Sequence, residues 1–250
     1  MTEESVNHVG LLTWDQVHRR LDDGAAAILP IGAGAKEHGL HLPMDTDRRQ
    51  AEWLAQEIAK RIDALIWPTI AYGYYPAFVE YAGSCSLSGE TFKAVLGELI
   101  EGLLGFGPRA VLVLDTGIST LKPVAEAIGG FGSRPVHHLK VHGGPRYTAQ
   151  AALLSEQAYG SHADELETSR MLLLAPEAVR MDRAQASPAD GSFEFSKGPM
   201  SPTDPSSVNY SPSGSFGDPT LASAEKGAAL SRAMLDDVLE MAEAALAQPD

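Results

Sequence analysis

The sequence predicts an α/β fold, a three-layer sandwich with a mostly parallel central sheet. Three observations point there. Short apolar runs alternate with stretches of helical periodicity along the chain, which is the pattern of strand–helix units. The run Ala110 to Leu114 is five apolar residues bounded by Arg109 and Asp115, as expected of a strand buried on both faces. The chain has 250 residues, of which 44% are hydrophobic and 21% charged, so one large domain over 1–250 can bury its own core.

The elements follow in order. Thr13, with Gln16 three residues on, forms a capping box that starts a helix ending near Asp23 and Gly24. Ala25 to Pro30 reads as a buried strand. Gly32 to Asp47, rich in Gly, His and acids, reads as a loop. Arg48 to Arg61 carries Ala51, Leu54, Ala55 and Ile58 at helical spacing, and Leu65 to Ile70 is a second strand. A loop with five aromatics, Tyr72, Tyr74, Tyr75, Phe78 and Tyr81, leads to a helix over Thr91 to Gly105. Its expected buried face is Phe92, Val95, Leu96, Leu99 and Leu103. After the strand at 110–114 come a helix at Leu121 to Ile128, a strand at Val136 to Val141 and a helix at Glu165 to Leu174. Ser187 to Pro219 is a long irregular segment, and Leu221 to Ala247 closes the chain as an amphipathic helix. The polar loops after Pro30, Ile70 and Leu114 are expected on one edge of the sheet, where ligands bind in such folds.

Charge and composition exclude several functions. Nineteen Lys and Arg against 33 Asp and Glu give a net charge of −14, the wrong sign for nucleic acid or an anionic membrane. No apolar stretch approaches the ~20 residues that span a bilayer. Met1 to Asn7 lacks the basic-then-apolar order of a secretory signal. A cytoplasmic protein with a small-molecule ligand is expected. Cys85 is the single cysteine and can form no internal disulfide; it reads as structural.

Two constellations carry chemistry. Lys36 to Asp47 holds His38, His41, Glu37, Asp45 and Asp47 within twelve residues. Imidazole nitrogen and carboxylate oxygen together suit Zn, Mn or Fe. Ser161 to Ser169 holds His162, Asp164, Glu165 and Glu167 at the start of a helix. Acids belong at helix N-termini for electrostatic reasons, which accounts for Asp164 and Glu165 better than for His162.

The chain resembles the creatininase (creatinine amidohydrolase) family in four blocks in the family's order. These are Leu29-Pro30-Ile31-Gly32 with His38-Gly39-Leu40-His41-Leu42-Pro43 and Asp47; Tyr72-Gly73 with Ala82-Gly83-Ser84-Cys85-Ser86-Leu87; His162-Ala163 with Glu167-Thr168-Ser169; and Gly217-Asp218-Pro219-Thr220-Leu221-Ala222 with Glu225-Lys226-Gly227. The resemblance implies a divalent metal centre of one or two ions, hydrolysis of small, often cyclic, amides, and a homo-oligomer, commonly a hexamer. It implies that His38, Asp47 and Glu167 are metal ligands, Asp47 as the bridging carboxylate, and that His162 acts with Glu167 at the reacting substrate, moving protons.

Two departures stand out. The family's Glu-x-His places Lys36 where a glutamate is usual, with Glu37 directly before His38; Glu37 is taken as the ligand, with Lys36 as the alternative. The family's Asn-Gly-His-Gly-Gly-Asn is replaced by Asp115-Thr116-Gly117-Ile118-Ser119-Thr120, so the usual histidine falls near Gly117. Asp115, Ser119 or one of His137, His138 and His142 could stand in for it, or one ion could be absent. Besides metal-dependent amide hydrolysis, the sequence allows a non-hydrolytic binding or scaffold protein, and a single-metal lactonase or isomerase.

Overall fold

The computed structural model describes residues 7–187 and 193–247. The start of the N-terminal stretch and residues 188–192 of the irregular segment lie outside that range.

The strands at 26–31, 64–66 and 111–115 are buried throughout and read as apolar runs up to their ends, whereas the edge strand at 136–140 carries two half-buried histidines and an exposed lysine. Strands β1 (Ala26–Ile31), β2 (Ala64–Ile66), β3 (Val111–Asp115) and β4 (Val136–Lys140) are all parallel, in the order β2-β1-β3-β4. Alternate residues point to opposite faces. Ala26, Ile28, Leu112 and Leu114 face one core with Leu54 and Ile58 of α2 (Thr46–Ala59) and Met234 and Val238 of α7 (Ala224–Leu246). Ala27, Leu29, Val111 and Val113 face the other, with Phe92, Leu96 and Ile100 of α3 (Gly89–Leu104) and Val124 of α4 (Leu121–Gly129). Helix, sheet and helix form the three layers expected.

Helix α1 (Trp14–Asp22) begins at Thr13, whose backbone N–H donates to Gln16 Oε1 at 2.8 Å. Helix α5 (Pro145–Leu154) has no counterpart in the sequence reading. Its inward stripe, Tyr147, Gln150, Ala151 and Leu154, is only half-buried and is interrupted by a polar residue, so its pattern is weak; Gly144-Pro145 at its start is the available signal. Helix α6 (Glu165–Leu174) falls where expected. In α3 the buried positions are Phe92, Leu96, Ile100 and Leu103, while Val95 and Leu99 are exposed. The inward stripe therefore runs through Ile100, narrower than the apolar pattern suggested. Lys36 to Asp45 is loop as expected, but Asp47 lies in the first turn of α2 rather than at the loop's end.

The strand order places a topological switch point between β1 and β3. From β1 the chain turns through α2 to β2 on one side, while β3 and β4 build the other. Ile31 and Asp115 are paired at their carboxyl ends, and the loops leaving them diverge there, as at ligand sites in such sheets.

Candidate active site

Four stretches of chain converge over this switch point. The loop after β1 supplies Lys36, Glu37 and His38. The first turn of α2 supplies Asp47. Gly32 makes that placement possible, because a Cβ there would lie 2.5 Å from the Asp47 carbonyl oxygen. Residues 161–167 supply His162 and Glu167 at the N-terminus of α6. The irregular segment is tied alongside by main-chain bonds: Ser161 N–H donates to the Phe216 carbonyl at 3.0 Å and Phe216 N–H to the His162 carbonyl at 2.8 Å.

One ligand atom from each of His38, His162 and Glu167 lies within 4.8 Å of the other two. His38 Nε2 is 2.9 Å from Asp47 Oδ1 and 4.0 Å from Glu167 Oε1. His38 Nδ1 lies 2.9 Å from the Lys36 carbonyl. A carbonyl can only accept, so Nδ1 carries a proton and donates to it, which leaves Nε2 to face Asp47 and Glu167. His162 Nε2 is 3.1 Å from Glu37 Oε2, and its Nδ1 is 3.9 Å from Glu167 Oε2. Glu37 thus meets the group through His162, and its other oxygen accepts from Gly39 N–H. Glu167 Oε2 accepts from Ala163 N–H at 2.8 Å, and Oε1 from Gln50 Nε2 at 3.3 Å.

Lys36 also faces the site. Its ammonium is 2.7 Å from Asp47 Oδ2, both groups are buried, and it lies 4.7 Å from the centroid of the Phe78 ring. The contact is ionic but poorly aligned: Asp47 Oδ2 has no directed hydrogen bond. Burial alone would raise the Asp47 carboxyl. The charges of Lys36 and His38 outweigh it and hold Asp47 well below the usual carboxylate range. Glu167 is lowered for the same reason, burial being overcome by His38 and His162. Both carboxylates also sit in first helical turns, where the backbone dipoles favour negative charge.

The strand-end segment offers no side chain in place of the absent histidine. Asp115 Oδ1 accepts from Thr120 Oγ1 at 2.6 Å and from Gly117 N–H at 3.1 Å, and Oδ2 is 3.1 Å from His138 Nε2. Ser119 Oγ donates to the Tyr74 carbonyl. His142 Nε2 donates to the Thr116 carbonyl at 2.9 Å. His137 is half-buried on β4.

Other residues singled out in the sequence have structural partners. Glu165 is fully buried and accepts from the Glu156 and Gln157 N–H groups, each at 2.9 Å, and from Lys226. Asp164 caps α6 through the Glu167 N–H. Asp45 binds Arg48 and Arg49. Cys85 is exposed. His41 is buried with Nε2 2.7 Å from Thr168 Oγ1, and burial pushes it down to about 4.

A cavity of about 670 Å³ opens beside the group, lined by Lys36, Asp47, His162 and Glu167. Tyr74 and Phe78 of the aromatic loop wall it; Tyr75 is buried nearby and Tyr72 is exposed elsewhere. Between His162 and Asp164, Ala163 adopts a left-handed backbone (φ 45°), the only non-glycine to do so among the described residues. Such strain concentrates at functional positions.

The sequence profile of the creatinine amidohydrolase (creatininase) family matches residues 10–242. The chain belongs to the creatininase family. A mycofactocin precursor peptide peptidase of Mycobacterium ulcerans is 30% identical over 224 residues, covering 84% of this chain and 81% of that protein. The corresponding peptidase of Mycobacterium tuberculosis is 29% identical over 238 residues, covering 89% and 86%. A creatinine amidohydrolase of Pseudomonas putida is 26% identical over 238 residues, covering 88% and 89%. Among solved structures, a manganese creatininase superposes with a TM-score of 0.82 at 23% identity over 97% of this chain and 99% of that one. The chain's relatives thus include proteins named as peptidases and one named as an amidohydrolase. Among the described residues no helix is long and apolar enough to cross a membrane.

Sequence reasoning missed the direct involvement of Lys36 with Asp47, because a residue in an irregular loop has no periodicity to reveal where its side chain points. It also passed over Arg170, one turn beyond Glu167, which reaches the same cavity.

Proposed function

We propose that this chain is a metal-dependent hydrolase of amide C–N bonds, with His38, His162 and Glu167 holding one divalent ion. The observation that carries this is the convergence of His38, His162 and Glu167, one ligand atom of each within 4.8 Å of the other two, beside the cavity. Two imidazoles and a carboxylate brought this close together are the mixed nitrogen and oxygen donor set that Zn and Mn take. The relatives add support: they are named as peptidases and amidohydrolases, and solved creatininases include manganese and Zn–Zn forms. When bound, such an ion lowers the pKa of a coordinated water toward neutrality and polarises a carbonyl.

The chain's own residues do the rest. The Lys36 carbonyl holds His38 in one tautomer, and Glu37 does the same for His162, fixing the nitrogen that faces the group. The Lys36 ammonium neutralises Asp47 and, on the cavity wall, offers its remaining N–H donors to the oxygen that gains charge as a substrate carbonyl is attacked. Tyr74 and Phe78 give the cavity flat apolar walls for the rest of the substrate.

Lys36 also bears on ion number. In this chain a cationic side chain lies against the carboxylate that the family resemblance makes a bridge between two metals, and Gly117 supplies no ligand. A single ion is the better fit. Elemental analysis of purified protein, with a hydrolysis panel of peptides, cyclic amides and lactones, tests the proposal. About one equivalent of Mn or Zn and cleavage of amides is expected. Absence of tight metal refutes the metalloenzyme, and cleavage of lactones alone refutes the amide.

A further inference from the structure

Arg170 presents a buried cation to the cavity with no carboxylate at ion-pair distance among the described residues, only the longer-range attraction of Asp164. It lies three residues after Glu167 on α6, so the two side chains share a helix face with Cβ atoms about 5–6 Å apart. It is 4% exposed and lines the cavity. One terminal nitrogen approaches the Met234 sulfur at 3.2 Å, a weak acceptor. The guanidinium carbon is 5.9 Å from the centroid of the Tyr147 ring. Nε has no partner at all. Asp164, the acid that Arg170 attracts from a distance, gives its oxygens to Glu167 N–H at 2.9 Å and Gln157 Nε2 at 2.7 Å. The other cation on the wall, Lys36, is engaged with Asp47.

Buried charges in folded proteins are ordinarily paired, since taking a lone ion out of water is costly. A planar fork with donors to spare, one helical turn from the proposed metal ligand, matches a carboxylate in shape and charge. We propose that Arg170 forms an anion subsite of the substrate cavity, and that the substrate carries a carboxylate close to the amide that is cut. This inference rests on the cavity being the substrate site. It narrows the substrate class to amides whose nitrogen substituent bears a carboxylate, the chemistry shared by N-acyl amino acids and peptide C-termini.

The test is calorimetric titration of the whole protein with hippurate and with hippuramide, which differ only in the charged group, in excess Mn and again in chelator. Hippurate is expected to bind about tenfold or more tightly than hippuramide under both conditions. Arg170→Met should abolish that preference, and Arg170→Lys should retain part of it. Without probe, Arg170→Met should melt at or above the parent temperature, because an apolar side chain replaces an unbalanced charge. Equal binding of the two probes, or binding of neither, overturns the proposal. So does a preference that survives Arg170→Met but vanishes in chelator, which would assign the carboxylate to the metal. An Arg170→Met protein that melts several degrees lower would mark the arginine as structural and overturn it too. The hydrolysis panel and metal content stand apart from all of these outcomes, so the amidohydrolase proposal fails or survives separately.

Discussion

Replacing Lys36 by Met removes the one ammonium beside Asp47 while keeping the apolar stem that lies against Phe78. Both members of this pair are nearly inaccessible to water, with side-chain exposures of 9% and 6%. Breaking a buried pair from one side leaves an uncompensated charge and typically costs about 3–5 kcal/mol. In a domain of this size each kcal/mol shifts Tm by about 2–4 °C. In chelator, Lys36→Met should therefore melt roughly 6–20 °C below the parent. Added Mn or Zn should recover a large part of that loss, because a divalent ion can settle against the orphaned carboxylate and stabilises whatever state binds it. The assay is differential scanning fluorimetry of both proteins with and without metal. A Lys36→Met protein that melts with the parent in chelator would show that the ammonium contributes nothing to holding Asp47. One that melts lower and ignores metal would show that the carboxylate does not face an ion site.

Three further outcomes are expected. His162→Asn should keep the fold and lose most of the bound ion after dialysis against a weak chelator; full metal retention with slow turnover would instead make His162 the proton carrier that the family resemblance implies. Gly117→His should lose roughly 1–3 kcal/mol without gaining a second ion, since its Cβ would lie 2.2 Å from the Thr120 hydroxyl that holds Asp115; a second tight equivalent of Zn by calorimetry would contradict this. His41 is pushed down to about 4 by burial, so the folded state binds fewer protons than the unfolded one near pH 5. Its contribution, up to about 3 kcal/mol, is present above pH ~6.5 and lost as pH falls toward 4. Urea midpoints at pH 7 and 4.5 should differ less in His41→Gln than in the parent, and an unchanged difference would remove His41 as a cause.

The layer architecture was legible because a parallel strand covered on both faces is almost wholly apolar, and such runs stand out at 25–30 and 110–114. Strand order was not, because it depends on which helices cross which face. Helix α5 escaped because its inward stripe is only half-buried and holds a glutamine and an alanine among its few apolar residues. The site's residue types were legible in the dense polar loop and in the start of α6. Their roles were less so: Glu37 and Lys36 are adjacent in sequence, and only the loop's path sends one to His162 and the other to Asp47. Asp115 looked available as a ligand until its hydrogen bonds to Thr120 and Gly117 were seen.

The tie between His162 and Phe216 has a consequence for how this protein can change over generations. The bonds that hold the irregular segment against the site run between main-chain groups, which every residue except proline carries in full. Ser196, Gly198 and Pro199 wall the cavity from that same segment. The side chains of Ser196 and Pro199 can be exchanged without loosening the strand-like seam that positions His162, whereas Gly198, at φ 143°, holds a backbone conformation that favours glycine. Variation in this wall is thus the cheapest route by which a lineage could acquire a new preference for one amide over another while inheriting its hydrolytic centre intact.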